Sequence, residues 1–355
     1  VSDVRASDLA GLACPLPLEE YPHVLLAHGG GGRLTHVLIE KMFASAFANP
    51  ALAPLHDGAR LDVDGARLAV TTDSFVVSPR FFPGGDIGSL AVHGTVNDLA
   101  MCAARPVALT AGFVLEEGLA MDELWRVVRS MRDAAAAVPV PIVTGDTKVV
   151  DRGKGDGVFI NTTGIGVVRP GVEISPAAAR PGDVVLVNGP IAQHGIAVLS
   201  VREGLAFETS VESDSAALHD LVAALLDAAG PAVRVLRDPT RGGVSSALHE
   251  IAQSSRAGIR LDEAKIPLRE DVRAACEILG LDPLYVANEG KALAIVARDA
   301  AESALAAMRA HALGREAAVI GEVVADHPGR VVLRSRVGGS RVVELLSGEQ
   351  LPRIC

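Results

Sequence analysis

Arg169-Pro-Gly-Val-Glu-Ile-Ser-Pro-Ala-Ala-Ala-Arg-Pro-Gly182 repeats an Arg-Pro-Gly turn signal within one short span. Proline removes a backbone donor and glycine relaxes the steric limits, so a regular element is broken here twice. The stretch reads as a linker over 169–182, and it divides the 355-residue chain into two units of ordinary domain size. Upstream, residues 141–150 and 157–168 read as strands around a Gly/Asp-rich connection. Residues 121–138 are the clearest helix, with Leu124, Val127, Val128 and Met131 on one face. Residues 107–115 are a strand candidate. Residues 89–104 read as a helix with Val92, Val96, Leu99 and Ala103 as its stripe, ended by Pro106. Farther upstream, residues 60–63 and 66–72 flank Asp64-Gly65, a type I′ hairpin signal, and the second strand runs into Asp73. Residues 34–47 carry helical apolar spacing behind four glycines.

Downstream of the linker, residues 184–187, 292–296 and 330–333 read as strands, and residues 220–229 and 244–254 as helices. The boundaries are an arm and glycine loop over 1–32, a domain over 33–168, the linker, a domain over 183–346, and an aperiodic tail over 347–355 expected to be mobile. Strands and helices interleave in both halves, which implies an α/β (α+β) protein of two domains.

Apolar residues make up 49% of the chain and aromatics only 3%, so both cores must be built from Ala, Val, Leu and Ile. A net charge of −10 opposes general nucleic-acid binding, which needs a basic face, yet it leaves room for a locally positive nucleotide site. The longest apolar run, residues 101–115, is cut by Arg105 and Pro106 and does not reach membrane-spanning length. Cys14, Cys102, Cys276 and Cys355 form no CxxC pair and no zinc spacing, which fits free thiols in a reducing compartment. Residues 1–10 carry Asp3, Arg5 and Asp8 and no apolar signal core. A soluble, cytoplasmic protein is expected.

Four features carry chemistry. In Val143-Thr-Gly-Asp-Thr-Lys-Val-Val150, Asp146 and Lys148 stand two apart and share one side of a strand. A carboxylate for a metal and an ammonium for a phosphate suit nucleotide chemistry; a surface ion pair fits the same residues equally well. Asp73 in Thr71-Thr-Asp-Ser74 and Asp98 in Gly94-Thr-Val-Asn-Asp-Leu-Ala-Met101 are further carboxylates of the kind magnesium takes, although each alone also suits a structural place. Asp98 lies off the apolar stripe of its helix. Two glycine-rich loops, His28-Gly-Gly-Gly-Gly-Arg33 and Asp238-Pro-Thr-Arg-Gly-Gly-Val244, precede helices, where a backbone can approach an anion; neither is a Walker A motif, and flexible turns use the same residues. Last, Cys355 ends the chain, where a thiol on a loose tail can reach another site. A tail residue of no consequence is the plain alternative.

In order, His28–Gly32, Thr71-Thr-Asp-Ser-Phe-Val-Val-Ser-Pro79, His93–Met101, Gly145-Asp-Thr-Lys-Val-Val150, Arg237–Gly243, Asn288-Glu-Gly-Lys291 and Pro352-Arg-Ile-Cys355 form a set that resembles the hydrogenase-maturation carbamoyl dehydratase family, HypE, over nearly the whole chain. The Asp and Gly motifs are also similar to aminoimidazole ribonucleotide synthetase, selenophosphate synthetase and thiamine-monophosphate kinase; the terminal Pro-Arg-Ile-Cys separates HypE from them. The resemblance implies an N-terminal α/β domain whose sheet pairs with its copy in a homodimer, ATP near that interface, and a separate α+β domain beside it.

It also implies the reaction. A carbamoyltransferase, HypF, loads Cys355, ATP drives dehydration of the thiocarbamate to a thiocyanate, and the cyano group passes to iron on the HypC–HypD scaffold for nickel-iron hydrogenase. Cys355, Lys148 and Glu289 carry over as catalytic residues, with Glu289 as a base or, structurally, a loop brace. Asp73, Asp98 and Asp146 carry over as magnesium ligands, and Gly29, Gly30, Gly31, Gly32, Asn97, Gly145 and Thr147 as further ATP neighbours. Lys291 stands where Arg or Thr is more usual. The alternatives are a selenophosphate synthetase-like phosphotransferase that does not depend on Cys355, and a non-catalytic docking protein that has no need of Lys148 or Asp146.

Overall fold

The computed structural model describes residues 23–204, 211–346 and 353–355. It opens on α1 (Arg33–Leu38), a π-helical turn (Ile39–Phe43) and α2 (Ala44–Ala46), where the expected helix over 34–47 changes its winding. Ile39, Phe43 and Phe47 along it stay exposed. The predicted hairpin forms as β1 (Ala59–Val63) and β2 (Ala66–Phe75), and Asp64 and Gly65 take φ of 48° and 84°, as a type I′ turn requires. β2 continues past Asp73, which pairs with Thr162 inside the strand instead of ending it.

A short pair, β3 (Phe81–Phe82) and β4 (Gly85–Asp86), leads into α3 (Ile87–Met101). Asp86 caps that helix by accepting from the amides of Gly88 and Ser89. β5 (Ala104–Glu116), α4 (Met121–Ala137), β6 (Ile142–Val150) and β7 (Val158–Val168) complete the unit. The helix expected over 89–104 stops at Met101, because Ala104 already pairs with Val168. Pro106 therefore lies in a strand, where a register shift between Pro106 and Ala108 absorbs its missing donor.

This first sheet has the order β1-β2-β7-β5-β6, antiparallel except between β5 and β6. One face packs on α3 and α4 through Leu109, Ile160, Val127 and Met131. The other face carries Val114, Ile165 and Val167, all exposed, and edge strand β6 is exposed along all but its last residue. Alternation along a half-buried strand thus gives a sheet with one apolar face uncovered by this chain.

The second unit runs β8 (Val184–Val187), α5 (Gln193–Arg202), α6 (His219–Ala229), β9 (Val233–Arg237), α7 (Gly243–Ser255), β10 (Gly258–Asp262), α8 (Glu270–Leu279), β11 (Leu293–Val296), α9 (Ala301–Ala310), β12 (Ala318–Val324), β13 (Val331–Arg334) and β14 (Ser340–Val343). Its sheet order is β14-β13-β10-β12-β8-β11-β9. The uninterrupted Val-Val-Leu-Val of β8 is explained by helices on both sides. Val185 and Val187 join a core with Ile196, Leu248 and Val272, while Val184 and Leu186 join another with Leu221 and Met308. Ala100 and Met101 at the end of α3 enter that second core. This lodges α3 between the two units, and only Ser89, His93 and Asp98 along it are not fully buried.

Candidate active site at the domain junction

Where α3 meets β2 and the end of β9, three carboxylates converge. One oxygen each from Asp57, Asp98 and Asp238 lies within 4.8 Å of the others. Thr71 donates to Asp98, and Arg237 pairs with Asp57. Burial, and then the charges of Asp238, Asp73 and Asp57, push the Asp98 carboxyl well above its ordinary range. Burial followed by the Asp57 charge does the same to Asp238, and burial raises Asp73. Asp57 Oδ2 lies 3.4 Å from His56 Nδ1 yet makes no hydrogen bond. Crowded, desolvated carboxylate oxygens with one left unsatisfied form a donor set that suits a hard divalent cation.

The loop after β9 carries Arg241 over this cluster, and the glycine loop closes on it. Gly242 takes φ of 78°, and a Cβ there would meet Ser246 Oγ at 2.2 Å; a Cβ on Gly31, with φ of 72°, would meet the Arg241 carbonyl oxygen at 2.6 Å. The two glycine motifs are thus needed for each other's close approach. Ser246 donates to the Gly31 carbonyl at 3.0 Å, and Arg33 N donates to the Leu346 carbonyl at 2.9 Å.

Chain residues 353–355 end in this junction. Val76 N donates to the Cys355 carbonyl and Ser78 N to the Arg353 carbonyl, each at 3.1 Å, so the last residues lie beside the chain leaving β2. Ile354 is buried among the apolar side chains of the first unit. The expectation of a mobile tail falls mainly on residues 347–352, outside the described ones; 353–355 are seated here. Burial raises the Cys355 thiol well above its usual range; Arg241 opposes the rise, and Glu289 and Asp73 add to it. Glu289 lies beside that thiol, and burial, then the charges of Asp73, Asp238 and Asp214, hold its own carboxyl well above normal. Its neighbour Asn288 donates to the Pro239 carbonyl at 2.8 Å and accepts from Ala192 N at 2.7 Å, which ties this loop to the β9 loop and to the start of α5. Lys291 pairs with Asp214 at 3.2 Å in the interior, and the other oxygen of that carboxylate accepts from Glu289 N at 3.1 Å.

The structure therefore gathers Cys355, Glu289, Asp73, Asp98 and the loop of Gly31 and Gly32. It does not gather Gly145, Asp146, Thr147 and Lys148 with them. Those four lie on exposed β6, where Lys148 Nζ is 2.9 Å from Asp146 Oδ2 and both side chains are 70% exposed. Asp146 is not in the carboxylate cluster of this chain. Asn97 is engaged within the protein at the junction. It is buried, donates to the carbonyls of Ala216 and Glu289, and accepts from Leu218 N at 2.8 Å. Asp57, Arg241 and Asn288 were not singled out as site residues from the sequence. Asp238 and Arg241 had a local signal, a charged residue on either side of Pro-Thr before a glycine pair, whereas Asp57 had none. Cys102 and Cys276 are buried, and burial pushes the Cys276 thiol up to about 11, as inert core thiols behave. No helix among the described residues is long and apolar enough to cross a membrane.

Two domain models place this architecture in a class. Residues 55–168 match the AIR synthase related protein N-terminal domain, and residues 180–334 match the C-terminal domain of the same group. The chain is 59% identical to the carbamoyl dehydratase HypE of Azotobacter vinelandii over 332 residues, covering 94% of this chain and 97% of that one. A crystal structure of HypE in complex with ATP superposes with a TM-score of 0.79 at 52% identity, covering 94% of this chain and 100% of that one. HypE in a HypE–HypF complex superposes with 0.83 at 48% identity, covering 87% and 99%. The chain belongs to the carbamoyl dehydratase HypE family.

Proposed function

We infer that this protein is an ATP-dependent carbamoyl dehydratase acting on its own C-terminal cysteine, converting the S-carboxamide of Cys355 into S-cyanide for nickel-iron hydrogenase maturation. The observation that carries this is the seating of the chain's terminal thiol beside a buried carboxyl, Glu289, at the edge of a carboxylate cluster. A phosphotransferase of the same group acting on a free small molecule has no use for a thiol of its own there.

The chemistry follows from leaving-group ability. The amide oxygen is a poor leaving group until it receives the γ-phosphoryl group of ATP. It then departs as phosphate, ADP having left, while the nitrogen gives up both protons and the sulphur-bound carbon becomes a nitrile. The departing phosphate takes up one of these protons, and Glu289 accepts the other. Its burial among carboxylates makes it a stronger base than a free glutamate. Arg241, whose charge opposes the burial-driven rise of the Cys355 thiol, orients the carboxamide and balances negative charge as the phosphoryl group arrives. Asp57, Asp98 and Asp238, with Asp73 beside them, would hold magnesium, which neutralises phosphate charge when bound.

The exposed apolar sheet face and the open edge of β6 support a homodimer in which sheet pairs with sheet. Pairing there gives the Asp146–Lys148 pair, solvent-exposed in one chain, a place in the nucleotide site with Gly145 and Thr147. HypF loads the tail, and the HypC–HypD complex receives the cyano group, in the cytoplasm.

Oxygen-18 in the Cys355 carboxamide tests the chemistry. The label is expected in inorganic phosphate after one turnover; label released as water would rule out phosphoryl transfer to the amide oxygen.

A further inference from the structure

The last three residues are held by all three main-chain carbonyls and by the side chains of Arg353 and Ile354. The Arg353 carbonyl accepts from Ser78 N at 3.1 Å and from Arg202 Nη2 at 2.7 Å. The Ile354 carbonyl accepts from His194 Nε2 at 2.7 Å, and the Cys355 carbonyl from Val76 N at 3.1 Å. Each of the three carbonyls therefore has a donor. The Arg353 side chain pairs with Asp156, and Ile354 fills the apolar core. The sulphur meets Glu289 and takes none of these main-chain hydrogen bonds.

His194 is the buried member of the set. It is the second residue of α5, fully buried, and its other ring nitrogen faces Ser213 Oγ at 2.8 Å. Bonding to a carbonyl at Nε2 and to a hydroxyl at Nδ1 selects the neutral tautomer with the proton on Nε2. Phe82 packs edge-on against the ring, with centroids 5.3 Å apart and planes at 88°. The start of α5 is fixed in turn: Ala192 N donates to Asn288 Oδ1, and Gly195 N donates to the Ala287 carbonyl at 3.1 Å. A rigid ring thus connects the peptide before the reacting cysteine to the loop that carries Glu289.

We propose that His194 is a positioning residue for the reaction: with Arg202 it latches the tail by its carbonyls and sets the Cys355 sulphur against Glu289, whatever group the sulphur carries. The inference rests on the dehydratase reading above. A latch on carbonyls holds the thiol, the carboxamide and the thiocyanate alike, so the same seat serves every stage, and release to a partner must come from breaking main-chain hydrogen bonds.

The test uses the full-length protein and two readouts. The first is the rate of Cys355 alkylation by iodoacetamide, without ATP or partner. The second is dehydration of the carbamoylated tail with ATP and magnesium, after loading by HypF. His194→Phe is expected to alkylate at least ten-fold faster than the parent and to dehydrate at least ten-fold more slowly at saturating ATP, with KM for ATP unchanged. His194→Gln, which keeps an N–H donor, is expected to recover most of both. Arg202→Met, on the outer side of the same latch, is expected to move both rates the same way, and it decides the matter if His194→Phe does not fold. Parental rates of alkylation and dehydration in the folded variants would overturn the latch, as would failure of His194→Gln to recover a slowed His194→Phe. A parental protein that does not dehydrate its carboxamide would instead overturn the dehydratase reading, and the alkylation rates would still judge the latch.

Discussion

The side-chain amide of Asn97 donates to the main-chain carbonyl of Glu289 at 3.1 Å, joining the helix that bears Asp98 to a loop of the second unit. Two further hydrogen bonds, to Ala216 and from Leu218, use the second amide donor and the side-chain oxygen. Replacement by alanine strands three main-chain partners, all on the second unit. Asn97→Ala is expected to lose about 2–4 kcal/mol of stability, measured by urea unfolding, since each orphaned buried group costs about 1–3 kcal/mol.

Glu289→Gln preserves shape and removes the carboxylate proposed as the base. Dehydration is expected to fall by roughly 10²–10⁴-fold, the usual range for a general base, while HypF still loads Cys355. Mass analysis of the tail separates the two steps: carboxamide should accumulate. A tail that proceeds to thiocyanate at the parental rate would remove Glu289 from the mechanism.

Lys148 decides whether β6 serves the nucleotide. Its pair with Asp146 is solvent-exposed, and such pairs contribute about 0–1 kcal/mol to stability. Lys148→Ala should therefore leave the melting temperature nearly unchanged yet cut ATP-dependent dehydration by roughly 10²-fold or more, as loss of a phosphate-neutralising group does. Unchanged turnover would make the pair a surface ion pair only.

Among the titratable groups, His93 gives the clearest pH dependence. Burial drives it down to about 4, with Asp86 opposing, and its Nδ1 lies 3.0 Å from Ser215 Oγ. The unfolded chain takes up this proton as pH falls through about 6.5, the folded protein only near 4. Stability from this residue is thus complete above pH 6.5 and is lost as pH drops toward 4, by about 2 kcal/mol at pH 5. His93→Gln should flatten that limb of the stability curve. An identical pH dependence in parent and variant would contradict it.

What the chain reveals to reading follows from range. Asp64-Gly65 fixes its hairpin because a turn depends on two adjacent residues, and Val127 with Met131 marks its helix by spacing alone. Pro106 misleads because a helix stop and a bulged strand share the same local signal, and only pairing with β7 distinguishes them. Asp98 lies off its stripe for a reason no spacing reveals: α3 is enclosed by two units, and the carboxylate faces Asp57 and Asp238 across the junction. Asp57, Asp98 and Asp238 are far apart in sequence, so their convergence is a property of the fold. Lys148 and Cys355 are visible locally, one by its spacing from Asp146 and one by its place on the tail, but their catalytic roles come from family resemblance; of the two only Cys355 lies at the junction within one chain.

The most direct measurement of the central claim is the mass of the C-terminal peptide over time, with HypF, carbamoyl phosphate, magnesium and ATP present. Gain of one carbamoyl group at Cys355, followed by ATP-dependent loss of one water, is the expected course. A tail that stays unmodified while HypF is demonstrably active, or that keeps its carboxamide in the presence of ATP, would contradict it.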